Sequence, residues 1–516
     1  MKANDGPKDG GRCYMVLRVI ALGRLASQAR RLTGQACRAE ALLRTFIISD
    51  QVLTLPHISN TAILPCEIKS REFDSKLLLA CILAERGWRV IVGSRNHIHL
   101  ALGRFPRSVY LGKDVRYSSK QVVRILKRLG HQFVAHDEEG LIYFDRESYR
   151  RLRVNSEVLQ AAKMLLAWGP DNELAWREAP AYDGTPIHLT GNGRVDMMRL
   201  ELRSLHESKT KELRAKYGRF VLINTNFASL NHFYTNLTAL LPPEELDTGA
   251  DDWEVGLSRH RYAIFRAFLS LLPRLASRFP RTTFVLRPHP GENHQTWVDA
   301  AQGASNVHVS HEGSVIPWIL ASEALIHNSC TTGLEAYILD GQPIAYQPAI
   351  SEDYDLHLPN ELSFVVHDEA TLFDLVDAII NEKFDQKKLH TPEREALLAN
   401  HISATRGQLA SEQIADILTE AATASRLSER TPSPLWFAGF IHAEVRAFMK
   451  RRGMNRFGHK GNIAYTKHRF PDTSVTEVRS RIADFSKVLQ RFRSLQVEQY
   501  DENVFSISTD GSQRHI

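Results

Sequence analysis

The chain is 516 residues long, 43% apolar and 24% charged, with a net charge of +6 and a mean hydropathy of −0.28. That length argues against a single core and for two or three domains, and no stretch approaches the roughly 20 uncharged apolar residues of a membrane span. Five scattered cysteines (Cys13, Cys37, Cys66, Cys81, Cys330) with no CxxC pair argue against a disulfide framework or structural zinc and fit a reducing cytoplasm.

In chain order, residues 1–55 come first as a basic extension, with nine Lys and Arg against three acids in the first 49 positions. They are expected to be unfolded or to lie on a surface. From residue 56 to 240, short apolar runs alternate with helical patterns. "TAILP" precedes the helix "EFDSKLLLACILAERG", which places Leu77, Leu78, Cys81 and Ile82 on one face and ends at Gly87. "WRVIVGS", "SVYLG", the helix "SSKQVVRILKRLG" and "QFVAHDEEG" continue the cycle, and "LLAWGP", "IHLTGNGRVD" and "FVLINTNF" close it. Strands that alternate with helices predict right-handed crossovers and a parallel, doubly wound sheet.

A polar stretch, residues 241–258, reads as an interdomain linker. A second α/β series over 259–425 contains "TTFVLRPHP", "NVHVSH", "EALIHN" and "PIAYQP", so a second Rossmann-like domain is predicted. Residues 426–516 read as a basic helical extension centred on "MKRRGMNRFGHKGN". Basic patches of this kind suit an anionic membrane surface or polyanion. Without interleaved aromatics they give no support to specific nucleic-acid binding.

Ligands of open α/β sheets sit beyond the carboxyl ends of the strands, and the polar clusters of this chain fall at such ends. In "RPHPG", Pro288 and Pro290 fix the backbone around His289, and Arg287 and His289 both offer donors to a phosphate. The alternative is a turn histidine bonded to a carbonyl. In "HNSCTTGLEA", Ser329, Thr331 and Thr332 open a helix whose first amides favour an anion; ordinary capping needs only one hydroxyl. Glu335, one turn inside, could accept from ribose hydroxyls or serve only as an acid near the helix start. Asp137, Glu138 and Glu139 follow a strand and are the candidate general base or nucleophile for moving a sugar, or else an acidic turn. Glu67, Arg71, Glu72 and Asp74 lie past the first strand. Asn192 and Arg194, with Asn224 and Asn226, end later strands and are candidates to line the same cleft. His289, His294, His308 and His311 lack metal-ligand spacing, so no essential metal is expected.

These motifs together resemble the surface carbohydrate biosynthesis proteins, GT-B glycosyltransferases related to capsule-type Kdo transferases and, more remotely, to CDP-glycerol glycerophosphotransferases. The resemblance rests on "RPHPGE", "IHNSCTTGLEA", "GQPIAYQP", "HDEEG", "GNGRVD" and "LINTNF" and spans about residues 60–350. It implies two Rossmann-like domains facing across a cleft and a metal-independent transfer from a nucleotide-activated sugar, with CMP-Kdo or a related CMP-ulosonate favoured, to a glycan or lipid-linked acceptor. It places His289, Ser329, Thr331 and Thr332 on the donor phosphate, Glu335 on the ribose, and Glu138 or Glu139 at the catalytic centre. Two departures stand out: the second loop acid is Glu rather than Asp, and Gly193 stands where proline is expected. A CDP-polyol phosphotransferase and a non-catalytic nucleotide- or polyanion-binding assembly protein are the alternatives. The enzyme is expected in the cytoplasm or on the inner face of the membrane.

Overall fold

The computed structural model describes residues 60–246, 252–301, 303–424, 433–456, 458–459 and 461–509. The N-terminal extension expected over 1–55 lies outside them. Among the described residues fourteen strands form two sheets. The strands are β1 (Thr61–Cys66), β2 (Arg89–Ser94), β3 (Val109–Gly112), β4 (Gln132–Ala135), β5 (Met164–Ala167), β6 (Ile187–Leu189) and β7 (Phe220–Asn224). They continue with β8 (Thr283–Arg287), β9 (Val307–Val309), β10 (Ala324–His327), β11 (Pro343–Tyr346), β12 (Phe364–Val366), β13 (Leu495–Asp501) and β14 (Val504–Thr509).

The first sheet has the order β13-β14-β2-β1-β3-β4-β5-β6 and the second β12-β11-β10-β7-β8-β9. Within the first, β1 to β6 run parallel, while β14 pairs antiparallel with β2. The second is parallel throughout. Strand order therefore reverses between β1 and β3 in one sheet and between β7 and β10 in the other, and the crevices at such reversals are where open α/β sheets hold ligands. The chain thus forms two Rossmann-like domains that meet at the carboxyl ends of their strands, in the GT-B-like arrangement.

Three boundaries differ from those expected. The strand in "FVLIN", assigned by sequence to the N-terminal domain, is β7 at the centre of the second sheet, so the crossing between domains precedes residue 220 rather than following 240. The stretch 241–258 is not an interdomain linker: it lies inside the crossover from β7 to β8, and its end belongs to the 27-residue helix Asp252–Arg278. The C-terminal extension is not purely helical, because β13 and β14 form a hairpin that extends the first sheet.

The return of the chain to the first domain explains another difference. The Asp74–Glu85 helix buries every residue from Ser75 to Ala84, not one face. Its outer side is covered by the Ala410–Ala424 and Val475–Leu489 helices, tied on by Trp88 Nε1 to Thr419 Oγ1 at 3.2 Å and by Arg481 Nη2 to Asp74 Oδ2 at 2.6 Å. A helix apolar all round must be covered all round, and each fully buried leucine adds about 1.5–3 kcal/mol. Among the described residues no helix is long and apolar enough to cross a membrane.

Candidate functional site

A cleft of about 380 Å³ lies between the two sheets. Its walls carry Arg71, Asp74, Glu138, Glu139 and Arg194 from the first domain and Asn224, Asn226, Arg287, His289, Ser329, Thr331, Thr332 and Glu335 from the second. The sequence thus brings most of its candidate residues to one place, but their bonds sort them into different roles.

His289 is held from both sides. Its own N–H donates to Glu292 Oε1 at 3.1 Å, and its ring Nδ1 accepts from the Gly291 amide at 3.0 Å. Burial, then the Arg71 guanidinium, pushes its pKa down to about 3, so the imidazole is neutral at pH 7. With Nδ1 accepting, the proton sits on Nε2, which is then a donor.

Glu292, absent from the candidates, organises the whole strand-end region. Its buried carboxylate accepts from Thr225 Oγ1 at 3.0 and 3.1 Å, Phe227 N at 3.0 Å, Trp297 Nε1 at 2.8 Å and the His289 amide. It ties the loop after β7 to the loop after β8. The signal was present in the sequence as the Glu directly after Pro290-Gly291, but its partners lie 65 and 67 residues away.

Arg287 lines the cleft yet is not poised as a phosphate ligand. Its two terminal nitrogens donate to the Glu312 and Gly313 carbonyls at 2.8 and 3.0 Å, and its guanidinium lies 4.6 Å from the Trp318 ring. Burial holds its pKa down at about 9. It positions the 312–314 loop.

The β10 loop is shaped by side chains behind it. Asn328 Oδ1 accepts from the Asn226 amide at 2.8 Å, and Ser329 adopts a left-handed φ of 53°. The helix Thr331–Ile338 begins at Cys330 with no side-chain capping bond. Its start, with the three hydroxyls, faces the cleft. Gly333 is required there, since a Cβ would overlap the His327 ring.

On the opposite wall the three consecutive acids part company. Asp137 does not line the cleft: it is fully buried, bound by Arg153 at 2.5 and 3.0 Å and by the Tyr149 hydroxyl at 3.1 Å. Glu138 is buried against the Lys76 ammonium and accepts from Asn192 Nδ2 at 3.1 Å. Burial works to raise its pKa, but Lys76 and His136 keep it well below the usual carboxylate range. Glu139 is 36% exposed at its side chain and faces the cleft. Lys113, then Arg71 and Arg153, outweigh burial and hold it down to about 2.

Asn192 lies behind the wall, where it orients Glu138 and accepts from the Arg194 amide at 2.9 Å. Arg194 spans the cleft, with Nη2 2.7 Å from Glu335 Oε1 and Nη1 3.4 Å from the Glu138 carbonyl. The expected ribose acceptor therefore serves here as one half of an interdomain ion pair. Asp74 is bound by Arg481 at the rim. Glu67 lies outside the cleft, clustered with Lys113, Arg95 at 3.3 Å and Arg469 at 2.7 Å. Arg71, on a five-residue π-helix Lys69–Phe73, is the cation beside both Glu139 and His289. Such π segments recur at functional sites.

His294 and His311 pack with ring centroids 4.2 Å apart and planes tilted by 50°, and His468 packs 5.4 and 5.3 Å from them. Among the described residues no three His, Cys, Asp or Glu side chains are arranged to hold a metal ion.

The sequence matches no protein-family model, and no curated protein matches it. Among solved structures the chain is similar to the wall teichoic acid polymerase TagF, at 10% identity over 71% of this chain and 90% of that one, with a TM-score of 0.42. It is similar to a UDP-GlcNAc 2-epimerase from Methanocaldococcus jannaschii, at 14% identity over 70% and 99%, with a TM-score of 0.43. A UDP-GlcNAc 2-epimerase from Neisseria meningitidis is similar at 13% identity over 71% and 99%, with a TM-score of 0.39. At these identities the likeness concerns fold alone.

Proposed function

We propose that the protein is a glycosyltransferase of surface polysaccharide synthesis that uses a nucleotide-activated sugar, with a CMP-ulosonate such as CMP-Kdo as the favoured donor. The observation that carries this reading is the pairing across one cleft of a half-exposed carboxylate, Glu139, with an anion-suited wall of His289, Ser329, Thr331 and Thr332.

The donor phosphate binds at the start of the Thr331–Ile338 helix, where amides and hydroxyls converge. The neutral His289 contributes an Nε2–H and Arg71 the positive charge. The bond from the anomeric carbon to phosphate oxygen breaks, and the nucleotide leaves with the electron pair. The acceptor hydroxyl oxygen bonds to that carbon, and its proton passes to Glu139. A phosphate that draws Arg71 away removes one of the cations that weaken Glu139 as a base, so donor binding itself raises the basicity of the group. The helix amides, the hydroxyls and the His289 ring that meet the leaving phosphate are in place beforehand, as transition-state stabilisation requires. The ribose competes with Arg194 for Glu335, which couples donor binding to the interdomain ion pair.

Thermal stabilisation by CMP, CDP, UDP and GDP, with His289→Ala and Glu139→Gln in parallel, tests this. A ligand at 100 times its dissociation constant adds about 2.7 kcal/mol. The expected result is a CMP-selective shift lost in His289→Ala and kept in Glu139→Gln, with transfer from CMP-Kdo lost in both. A shift with CDP instead would move the donor to an activated polyol phosphate. Nucleotide binding that survives in His289→Ala would refute the phosphate assignment.

A further inference from the structure

The reversal of strand order between β1 and β3 opens on a second cavity, larger than the cleft, of about 980 Å³. Its floor carries Glu67 and Lys113 from the strand ends. Its outer wall is made by the Pro434–Met454 helix, with Arg446 and Lys450, and by the Ile463–Arg469 helix. Glu139 belongs to both cavities, so the chamber meets the cleft at that carboxylate.

The chamber holds six cations, Arg95, Lys113, Arg116, Arg446, Lys450 and Arg469, against the three acids Glu67, Asp114 and Glu139. The acids are already engaged. Glu67 takes Lys113, Arg95 and Arg469, and Asp114 accepts from Ser119 Oγ at 2.6 Å and the Arg116 amide at 3.1 Å. Arg446 and Lys450, one helical turn apart, form no salt bridge with a carboxylate among the described residues, and only Glu67 offsets the charge of Lys450 from a distance. Nη1 of Arg446 is buried without a hydrogen-bond partner, and Lys450 Nζ donates to the Asn96 carbonyl at 3.3 Å. Like charges at this spacing repel. Burial, then Arg446 and Arg95, brings the Lys450 pKa down to about 7. Cations crowded into a half-buried wall are costly until an anion joins them.

The outer side of the same helix adds a second observation. Phe437, Ile441, Val445, Phe448 and Met449 are each more than half exposed, and Val445 and Met449 also line the chamber. Positive charge inside and apolar surface at the mouth suit a ligand with an anionic head and an apolar tail.

We propose that this chamber binds the phosphate or diphosphate head of an amphiphilic acceptor, with Arg446 and Lys450 on the head and the tail leaving over Val445 and Met449. The head then lies next to Glu139, and a glycan carried on it reaches the cleft. The inference rests on the transferase reading for the word acceptor, but the anion site is measurable without it.

Calorimetry with dodecyl phosphate below its micelle concentration, with inorganic phosphate and with the double variant Arg446→Gln/Lys450→Gln tests the site. Dodecyl phosphate is expected to bind at least tenfold more tightly than inorganic phosphate and to lose at least tenfold in the double variant. The ligand-free variant is expected to melt no lower than the parent, because repulsion has been removed. Unchanged affinity in the variant overturns the proposal, and inorganic phosphate binding as tightly as dodecyl phosphate overturns the apolar-tail half of it. Phosphatidylglycerol vesicles that displace dodecyl phosphate at equal phosphate concentration make bulk phospholipid the occupant and overturn the acceptor assignment; failure to displace it supports that assignment. CMP binding measured in the same samples separates the two readings: no nucleotide binding in the parent protein defeats the transferase, while the dodecyl phosphate result judges the chamber by itself.

Discussion

The two sheets are built by different rules. The second is contiguous: β7 to β12 follow one another between residues 220 and 366 and pair in parallel, and its cleft-lining loops are held by bonds between neighbouring strand ends within the same domain. The first is stitched together from both ends of the described chain, with a helix at 74–85 that is solvent-free only because helices some 340 and 400 residues later cover it. A contiguous domain carries its own core, whereas a stitched one depends on segments that arrive from elsewhere.

The largest test of that contrast is deletion of residues 475–509, which removes the Val475–Leu489 helix and the β13-β14 hairpin. Hydrogen exchange is expected to show loss of protection in β1 to β3 with retention in β7, β8 and β10. Uniform loss across both sheets would make the two domains one cooperative unit and break the comparison.

Glu292→Ala should cost about 3–5 kcal/mol in denaturant unfolding, because several buried donors lose their acceptor and each unsatisfied group costs about 1–3 kcal/mol. In contrast to the deletion, the loss of exchange protection should centre on β7 and β8. An effect below about 1 kcal/mol would mean that water replaces the carboxylate.

Mild acid gives the most diffuse effect. Burial depresses His131 and His136 to about 4 in the first domain, and His289 and His327 to about 3 in the second. Each binds a proton in the unfolded chain below about pH 6.5 but not in the folded one. Their contribution is therefore complete above pH 6.5 and is lost as pH falls from 6.5 toward 3. Stability over pH 6 to 4.5 should drop by more than about 1.4 kcal/mol per pH unit, the slope of a single differential proton. Urea midpoints across that range check it, and a flat profile would contradict the depressed values.

The same contrast explains what could be read from the sequence. Periodicity and glycine stops marked the strands and helices of both domains because those signals are local: Gly130 closes its helix with a φ of 84°. The second-domain loops that line the cleft were also legible, since "RPHPG" and "HNSCTTG" are short motifs at strand ends. What escaped was set by distant partners. Arg287 read as a ligand until the Glu312 and Gly313 carbonyls claimed it, and Asp137 as a candidate base or nucleophile until Arg153 did. "LPPEELDTGADDWEVG" had the composition of a linker, but β7 had already joined the second sheet. The strands β13 and β14 look unremarkable by themselves and acquire meaning only beside β2.

The hairpin also sets an order of events during synthesis. The second sheet, begun at residue 220, has all its strands once residue 366 is made, whereas the first, begun at residue 61, waits for residue 509. Domains fold as units while the chain emerges, so the half encoded later is completed earlier. Until residues 410–509 arrive, the edge of β2 and the outer side of the 74–85 helix stand uncovered, and a nascent chain in that condition exposes the surfaces that chaperones bind.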